Sequence, residues 1–486
     1  MTVRVRYAPS PTGLQHIGGV RTALFNYLFA RAQGGAFVLR IEDTDQERYS
    51  EEALEDIYAT FEWLGIAWDE GPDCGGPYGP YFQSQRLARY HEAVQTLLDA
   101  GKAYECFCSA ERLAGLRSEG ARDGVLGYDR RCRDLTEEQR AAYRAEGVTP
   151  VVRLKVPEQG AASFEDVLLG TVKRKYKDLS PDPIILKSDG FPTYHLANVV
   201  DDHEMAISHV LRAQEWLSST PLHILLYEAF GFEPPRYCHL PFVTGKDGQK
   251  LSKRHGATSV VEFRKQGYLP EALTNYIALL GWSYDDSREF FALNELERLF
   301  SVEKLNKAPA VFDYKKLEWF NGNYIRECSS ERLFELMRPY LETAGLLPAG
   351  NETREAAIVR NAVPLVQERL KLLSEAPELL KFLLAEITEN YAAEELIPKK
   401  MDAAAAKALL NAVRPVVAAM EHYADEQLEA EFRRLAEQHD TKLGNVMMPL
   451  RVAITGSRTS PPLIGSLRLL GTERALARID AAIAKL

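Results

Sequence analysis

Strand-like and helix-like stretches alternate along the first hundred residues, and this alternation limits the possible folds more than any other feature of the chain. The run from Val3 to Ala8 predicts a strand, Arg21 to Ala32 a helix, Phe37 to Ile41 a second strand, and a further helix begins near Glu51. Strands separated by helices pair in parallel, so the spacing predicts a parallel α/β sheet. The opening residues Met1 to Arg6 alternate apolar and polar side chains and lack an apolar h-region, which reads as a strand rather than a secretion signal.

The alternation stops near residue 101 and resumes near residue 191. Residues 102–190, with two close cysteines and β-type runs such as Val151 to Val156, read as an α+β insertion within the sheet domain. Residues 191–256 supply its second half and end in a loop rich in lysine. A region at 257–325 follows, in which Pro270 opens a helix and Gly281 stops it. From residue 326 to 486, stretches rich in Ala, Leu and Glu at helical spacing predict an all-α C-terminal domain. A chain of 486 residues, 46% hydrophobic and 26% charged, is long enough for these several cores. The net charge of −10 argues against a broadly basic surface but leaves room for a local one. Six cysteines are too few for a disulfide framework, and no run of roughly 18 apolar residues occurs, so a cytoplasmic chain with no membrane partner is expected.

Two loops carry the chemistry. The first, Ala8 to Gly19, reads APSPTGLQHIGG and lies between the first strand and the first helix. Its glycines let a ligand approach the backbone, and a helix N-terminus offers N–H groups and positive dipole to phosphate. His16 can donate a hydrogen bond to a phosphate oxygen as charge builds up. The second loop, Lys250-Leu251-Ser252-Lys253-Arg254, follows Lys246 in a glycine-containing turn, and its cations can neutralise a triphosphate. No Gly-x-x-x-x-Gly-Lys-Ser/Thr motif is present, which disfavours a Walker-type kinase.

Together the loops resemble the His-Ile-Gly-His and Lys-Met-Ser-Lys-Ser motifs of class I aminoacyl-tRNA synthetases, with Gly19 standing where the second histidine would be. Longer matches at Arg6 to Gly13, Arg40 to Asp45 and Lys187 to His203 are similar to glutamyl-tRNA synthetases of the bacterial type. The resemblance implies a Rossmann-type parallel-sheet catalytic domain with an α+β insertion, followed by an all-α domain. It implies His16 and Lys253 as catalytic residues, and Thr12, Gly18, Glu215, Trp216, Lys250 and Ser252 beside them as ATP contacts. Glutamate has two carboxylates that call for arginine and an ammonium that calls for a carboxylate with oxygen acceptors. The resemblance places Arg6 and Arg212 on the carboxylates, Glu42 and Ser10 near the ammonium, and Ala8, Tyr194 and Asn198 around the substrate. The division of labour between Arg6 and Arg212 stays open.

The implied reaction is activation of glutamate by ATP with Mg²⁺, then transfer to tRNA(Glu) by a monomeric enzyme. Residues 102–190 would then bind the acceptor end, 257–325 would contact the stem, and 326–486 would bind the anticodon, with Arg369 favouring the glutamate anticodon. Cys106, Cys108 and Cys132 form a candidate structural zinc site that is one ligand short of four, with Tyr128 or Asp134 as the fourth.

Overall fold

The computed structural model describes residues 2–123, 127–348, 353–387 and 391–486. They form two compact units: Met1–Phe263 with Leu273–Asp313, and Arg264–Ala272 with Tyr314–Leu486.

The first unit is built on parallel strands. Strand β1 (Arg4–Tyr7) pairs in parallel with β2 (Ala36–Leu39), as a helical crossover between them requires. That crossover helix, α1 (Ile17–Ala32), buries a continuous stretch from Val20 to Ala30, because the sheet lies under one face and other helices cover the rest. Sequence spacing predicts its start at Arg21, but it begins at Ile17. His16 caps it, so Gly18 and Gly19 belong to its first turn and not to a preceding loop.

The insertion adds five strands to the unit. Strands β3 (Ala103–Cys106), β4 (Val151–Leu154) and β7 (Ile184–Leu186) form a small antiparallel sheet in the order β3-β4-β7. Strands β5 (Ala161–Asp166) and β6 (Gly170–Lys175) form a hairpin. Beyond the insertion, β8 (His209–Ala213) and β9 (Arg236–Leu240) pair in parallel. Backbone bonds join these parts: Ser208 N–H to the Arg4 carbonyl at 2.9 Å beside β1, and Val167 N–H to the Tyr237 carbonyl at 2.8 Å beside β9. The β5–β6 hairpin thereby extends the sheet of the first unit, meeting β9 at Asp166 and Tyr237.

The second unit contains no strand among its described residues. Apolar faces of helices such as Ser330–Thr343, Arg354–Gln367, Ala403–Ala418 and Leu443–Thr455 meet in one core around Phe334, Val363, Val413 and Leu450. The stretch from Leu370 to Ile387 is a 3-10 turn at Leu373–Glu375 followed by a helix at Ala376–Leu384. Pro377, which has no N–H to donate, sits in the first turn of that second helix, where no backbone donor is needed. No helix among the described residues is long and apolar enough to cross a membrane.

Candidate active site

The two loops of the sequence meet in space. Ile17 N–H donates to the Thr258 carbonyl and Val260 N–H to the Gln15 carbonyl, both at 3.0 Å, so the segment after the lysine loop is laced to the helix cap. His16 Nδ1 accepts from Gly19 N–H at 3.2 Å. A ring nitrogen that accepts carries no proton, so the proton of the neutral ring sits on Nε2. Burial pushes the His16 pKa below its ordinary value, nearby Lys250 adds to this, and Glu215 opposes it. His16 is therefore a neutral hydrogen-bond donor at neutral pH.

Lys250 pairs with Glu215, and Lys246 Nζ lies 2.9 Å from Asp313. Ser252 N–H donates to His255 Nδ1 at 3.0 Å, while His255 Nε2 lies 3.1 Å from Asp247, which holds the turn closed. Lys253 begins a 3-10 turn, Lys253–His255; its side chain lies outside the described residues.

Gly19 has a steric reason for having no side chain. A Cβ there would come within 2.8 Å of the Tyr7 hydroxyl, which donates to Gln15 Oε1 at 2.7 Å. Gly19→Ala is therefore expected to displace the His16 cap and slow ATP–pyrophosphate exchange, and adding Tyr7→Phe to relieve it. An equal defect in the single and the double variant would refute the steric account.

Behind the loops lies a buried charge network. Arg6 Nε donates to Asp202 at 3.0 Å, Arg40 reaches the same carboxylate at 2.7 Å, and Arg40 Nη2 lies 3.2 Å from Glu42. Asn198, with its amide oxygen turned inward, accepts from both Arg6 and Arg40 at 3.3 Å. Burial raises the pKa of the Asp202 carboxyl, but Arg6 and Arg40 outweigh it and bring the group below the usual range. The backbone brings Ala8 and Ser10 alongside: Glu42 N–H donates to the Pro9 carbonyl and Thr12 N–H to the Ser10 carbonyl.

Arg212 differs from Arg6. Its hydrogen bonds among the described residues all go to neutral acceptors: His239 Nε2 at 3.2 Å, the Tyr194 hydroxyl at 3.1 Å, His223 Nδ1 at 3.3 Å, Thr220 Oγ1 at 2.7 Å and the Trp216 carbonyl at 3.4 Å. A buried guanidinium without a carboxylate partner is costly, and a bound anion offsets that cost. The Tyr194 and Trp216 rings lie 4.4 Å apart, tilted by 36°, and Glu42 and Arg6 also lie within electrostatic reach of Tyr194. Arg6, Glu42, Tyr194, Asn198 and Arg212 thus converge, with Glu215 and Trp216 next to Arg212 on the side of the lysine loop.

Asp202, Asp201 and Arg40 were not among the residues expected from sequence. One signal was present: Asn198, Asp201 and Asp202 fall at i, i+3 and i+4 of the helix Tyr194–Glu204 and so face one way. His223, His239 and Asp166 had no such signal.

In the insertion, the sulfurs of Cys106, Cys108 and Cys132 all lie within 4.8 Å of one another, with Cys108 and Cys132 at 3.6 Å. Such spacing suits thiolates on one zinc ion at about 2.3 Å from each sulfur. The Tyr128 hydroxyl lies 3.4 Å from Cys106 Sγ, whereas Asp134 is exposed, so Tyr128 is the better placed fourth donor. Arg112 lies 3.3 Å from Cys108 Sγ and is also paired with Asp129. In the second unit, Arg369 is exposed just beyond the helix Arg354–Gln367, close enough to Arg451 to lower the pKa of that arginine, though burial is the larger cause.

A parallel nucleotide-binding sheet, a histidine at a helix cap and a lysine loop laced to it define the catalytic domain of a class I aminoacyl-tRNA synthetase. Comparisons with known proteins agree: residues 2–319 match the family of tRNA synthetases class I (E and Q), catalytic domain, and residues 332–483 match an anticodon binding domain. The chain is 54% identical to the glutamate–tRNA ligase of Treponema denticola, covering 100% of both. It is 51% identical to that of Borreliella burgdorferi over 99% of this chain and 98% of the relative. The crystal structure of a glutamate tRNA ligase from Elizabethkingia meningosepticum in complex with its amino acid superposes with a TM-score of 0.85 at 34% identity, covering 100% of each chain. The chain belongs to the glutamate–tRNA ligase family.

Proposed function

We propose that the chain activates glutamate with ATP and transfers it to the 3′ end of tRNA(Glu), with the roles of individual side chains as follows. The observation that carries this reading is Arg212, a buried cation whose hydrogen-bond partners among the described residues are all neutral, set near Tyr194 and the Glu215–Lys250 pair. A carboxylate of glutamate supplies the missing counter-charge. Arg6, already paired with Asp202, contributes direction more than net charge, and Glu42 receives the ammonium. ATP enters as its Mg²⁺ complex, with Trp216 exposed for the adenine and Lys250 leaving Glu215 for phosphate. An α-carboxylate oxygen then attacks the α-phosphorus and pyrophosphate leaves. His16 Nε2–H donates to the phosphate oxygen that gains charge, and no side chain acts as nucleophile. The terminal ribose hydroxyl of the tRNA next attacks the activated carbonyl, and AMP leaves.

The deciding experiment is aminoacylation of purified tRNAs for glutamate and glutamine. Glutamate charging of the first is expected, and its absence together with absence of pyrophosphate exchange would sink the reading. We assign discrimination of the anticodon to Arg369, whose guanidinium can read a base edge. Arg369→Gln is expected to cost about 1–3 kcal/mol of preference between the two tRNAs without changing pyrophosphate exchange. An unchanged preference would remove Arg369 from that role.

We propose that Cys106, Cys108, Cys132 and Tyr128 would hold a structural zinc ion in the insertion, which would tie the β3 end to the following segment. One zinc per chain is expected by elemental analysis, lost in Cys132→Ser with a lowered melting temperature. Unchanged metal content in that variant would exclude the site.

A further inference from the structure

We propose that Asp166, on the hairpin of the insertion, and His239, on β9, form a relay that positions Arg212 for the glutamate carboxylate; the proposal rests on the functional reading above. Arg212 Nε can only donate, and it points at His239 Nε2 at 3.2 Å. Thr220 Oγ1 lies 3.0 Å from the same nitrogen and can also donate to it, so an unprotonated Nε2 serves both contacts and the ring proton lies on Nδ1. Asp166 Oδ2 stands 2.6 Å from Nδ1 and accepts that proton's hydrogen bond, and it also accepts from His239 N–H at 3.0 Å. Its other oxygen, Oδ1, accepts from the N–H groups of Leu168 and Leu169 at 2.9 Å each. Both carboxylate oxygens are thus committed as acceptors, and the carboxylate is fully buried.

The consequence for Arg212 is geometric. A histidine that presented Nε2–H would oppose the Arg212 Nε–H and turn the guanidinium away from its seat. Asp166 prevents this by fixing the tautomer, as carboxylates do for orienting histidines elsewhere. On the other edge of the guanidinium, His223 Nδ1 accepts from Nη1, so its Nε2–H faces His195 Nδ1 at 3.1 Å. Thr220 and the Tyr194 hydroxyl complete the seat. Among the described residues no carboxylate bonds Arg212 directly, so the relay sets its direction while a ligand carboxylate can still pair with it. Asp166 and His239 are positioning residues and touch no reacting atom. Asp166 lies where the β5–β6 hairpin meets β9, so the insertion contributes directly to the amino-acid pocket.

Three variants and one spectrum test this. Asp166→Asn keeps the shape but turns an NH₂ donor toward N–H groups that need an acceptor, and it is expected to raise KM for glutamate by up to about 100-fold, with KM for ATP little changed. His239→Ala should do the same. His239→Gln can accept from Arg212 through Oε1 and donate to Asp166 through its amide, and should recover most of that loss. A rise of both KM values in parallel, or no rise, overturns the proposal, as does a His239→Gln as impaired as the alanine variant. Because Asp166→Asn can also disturb folding, the tautomer is read directly by nitrogen NMR of histidine-labelled wild-type chain, with the His239 signal assigned by its loss in His239→Gln. Protonated Nδ1 and bare Nε2 are expected. Protonated Nε2 overturns the relay whatever the substrate is, whereas failure of the wild type to charge glutamate overturns the functional reading instead.

Discussion

Replacing His16 by alanine is expected to slow adenylate formation by about 100- to 1,000-fold while leaving glutamate binding nearly unchanged, because the lost hydrogen bond strengthens only as charge builds on phosphate. The structure gives that expectation a specific atom. Nδ1 is occupied by Gly19 N–H, which leaves Nε2–H as the donor, and burial together with Lys250 holds the ring neutral. The helix N-terminus behind it adds positive potential that survives the substitution, which is why some activity should remain. Pre-steady-state pyrophosphate exchange, with glutamate affinity measured separately, checks this. Equal losses in rate and affinity would show that His16 supports the ground state and would remove its transition-state role.

Arg212→Gln is expected to act in the opposite pattern, raising KM for glutamate by about 30-fold or more through loss of about 2–5 kcal/mol of charge-assisted binding. The size follows from the absence of a carboxylate among its hydrogen-bond partners: the chain bears the cost of burying the cation, and the ligand's carboxylate offsets it. Arg6→Gln should differ in kind, since it also strands Asp202, which would keep Arg40 as its remaining cation. That variant is expected to lose stability together with affinity, visible as a lower melting temperature. A glutamate KM unchanged in Arg212→Gln would transfer the carboxylate role to Arg6.

The two variants also separate what could be read locally from what could not. His16 was legible because its signal is confined to a few neighbours: glycines, a strand before, a helix after. Even there the helix start was misplaced, since two glycines in a first turn look like a loop until a capping side chain is seen. The lysine loop was legible as a cluster of cations, but its carboxylate partners Glu215 and Asp313 were not, being distant in sequence. Arg6 and Arg212 look equivalent as residues. They differ because Asp202, 196 positions from Arg6, neutralises one of them. Likewise Asp166 and His239, 73 positions apart, carry no mark of their pairing.

By itself the sequence determined the parallel α/β character of the first unit, the helical character of the second, the two loops proposed to handle phosphate and the family they resemble. These depend on periodicity, turn residues and short spacings, which are properties of neighbouring positions. Only the tertiary structure shows which arginine lacks a carboxylate partner among the described residues, which nitrogen of His16 and His239 faces a donor, why position 19 has no side chain, and that the three cysteines lie together. Each of these depends on groups brought together by folding, where burial removes water and makes the identity of a single partner decide the charge and hydrogen-bonding state of the next.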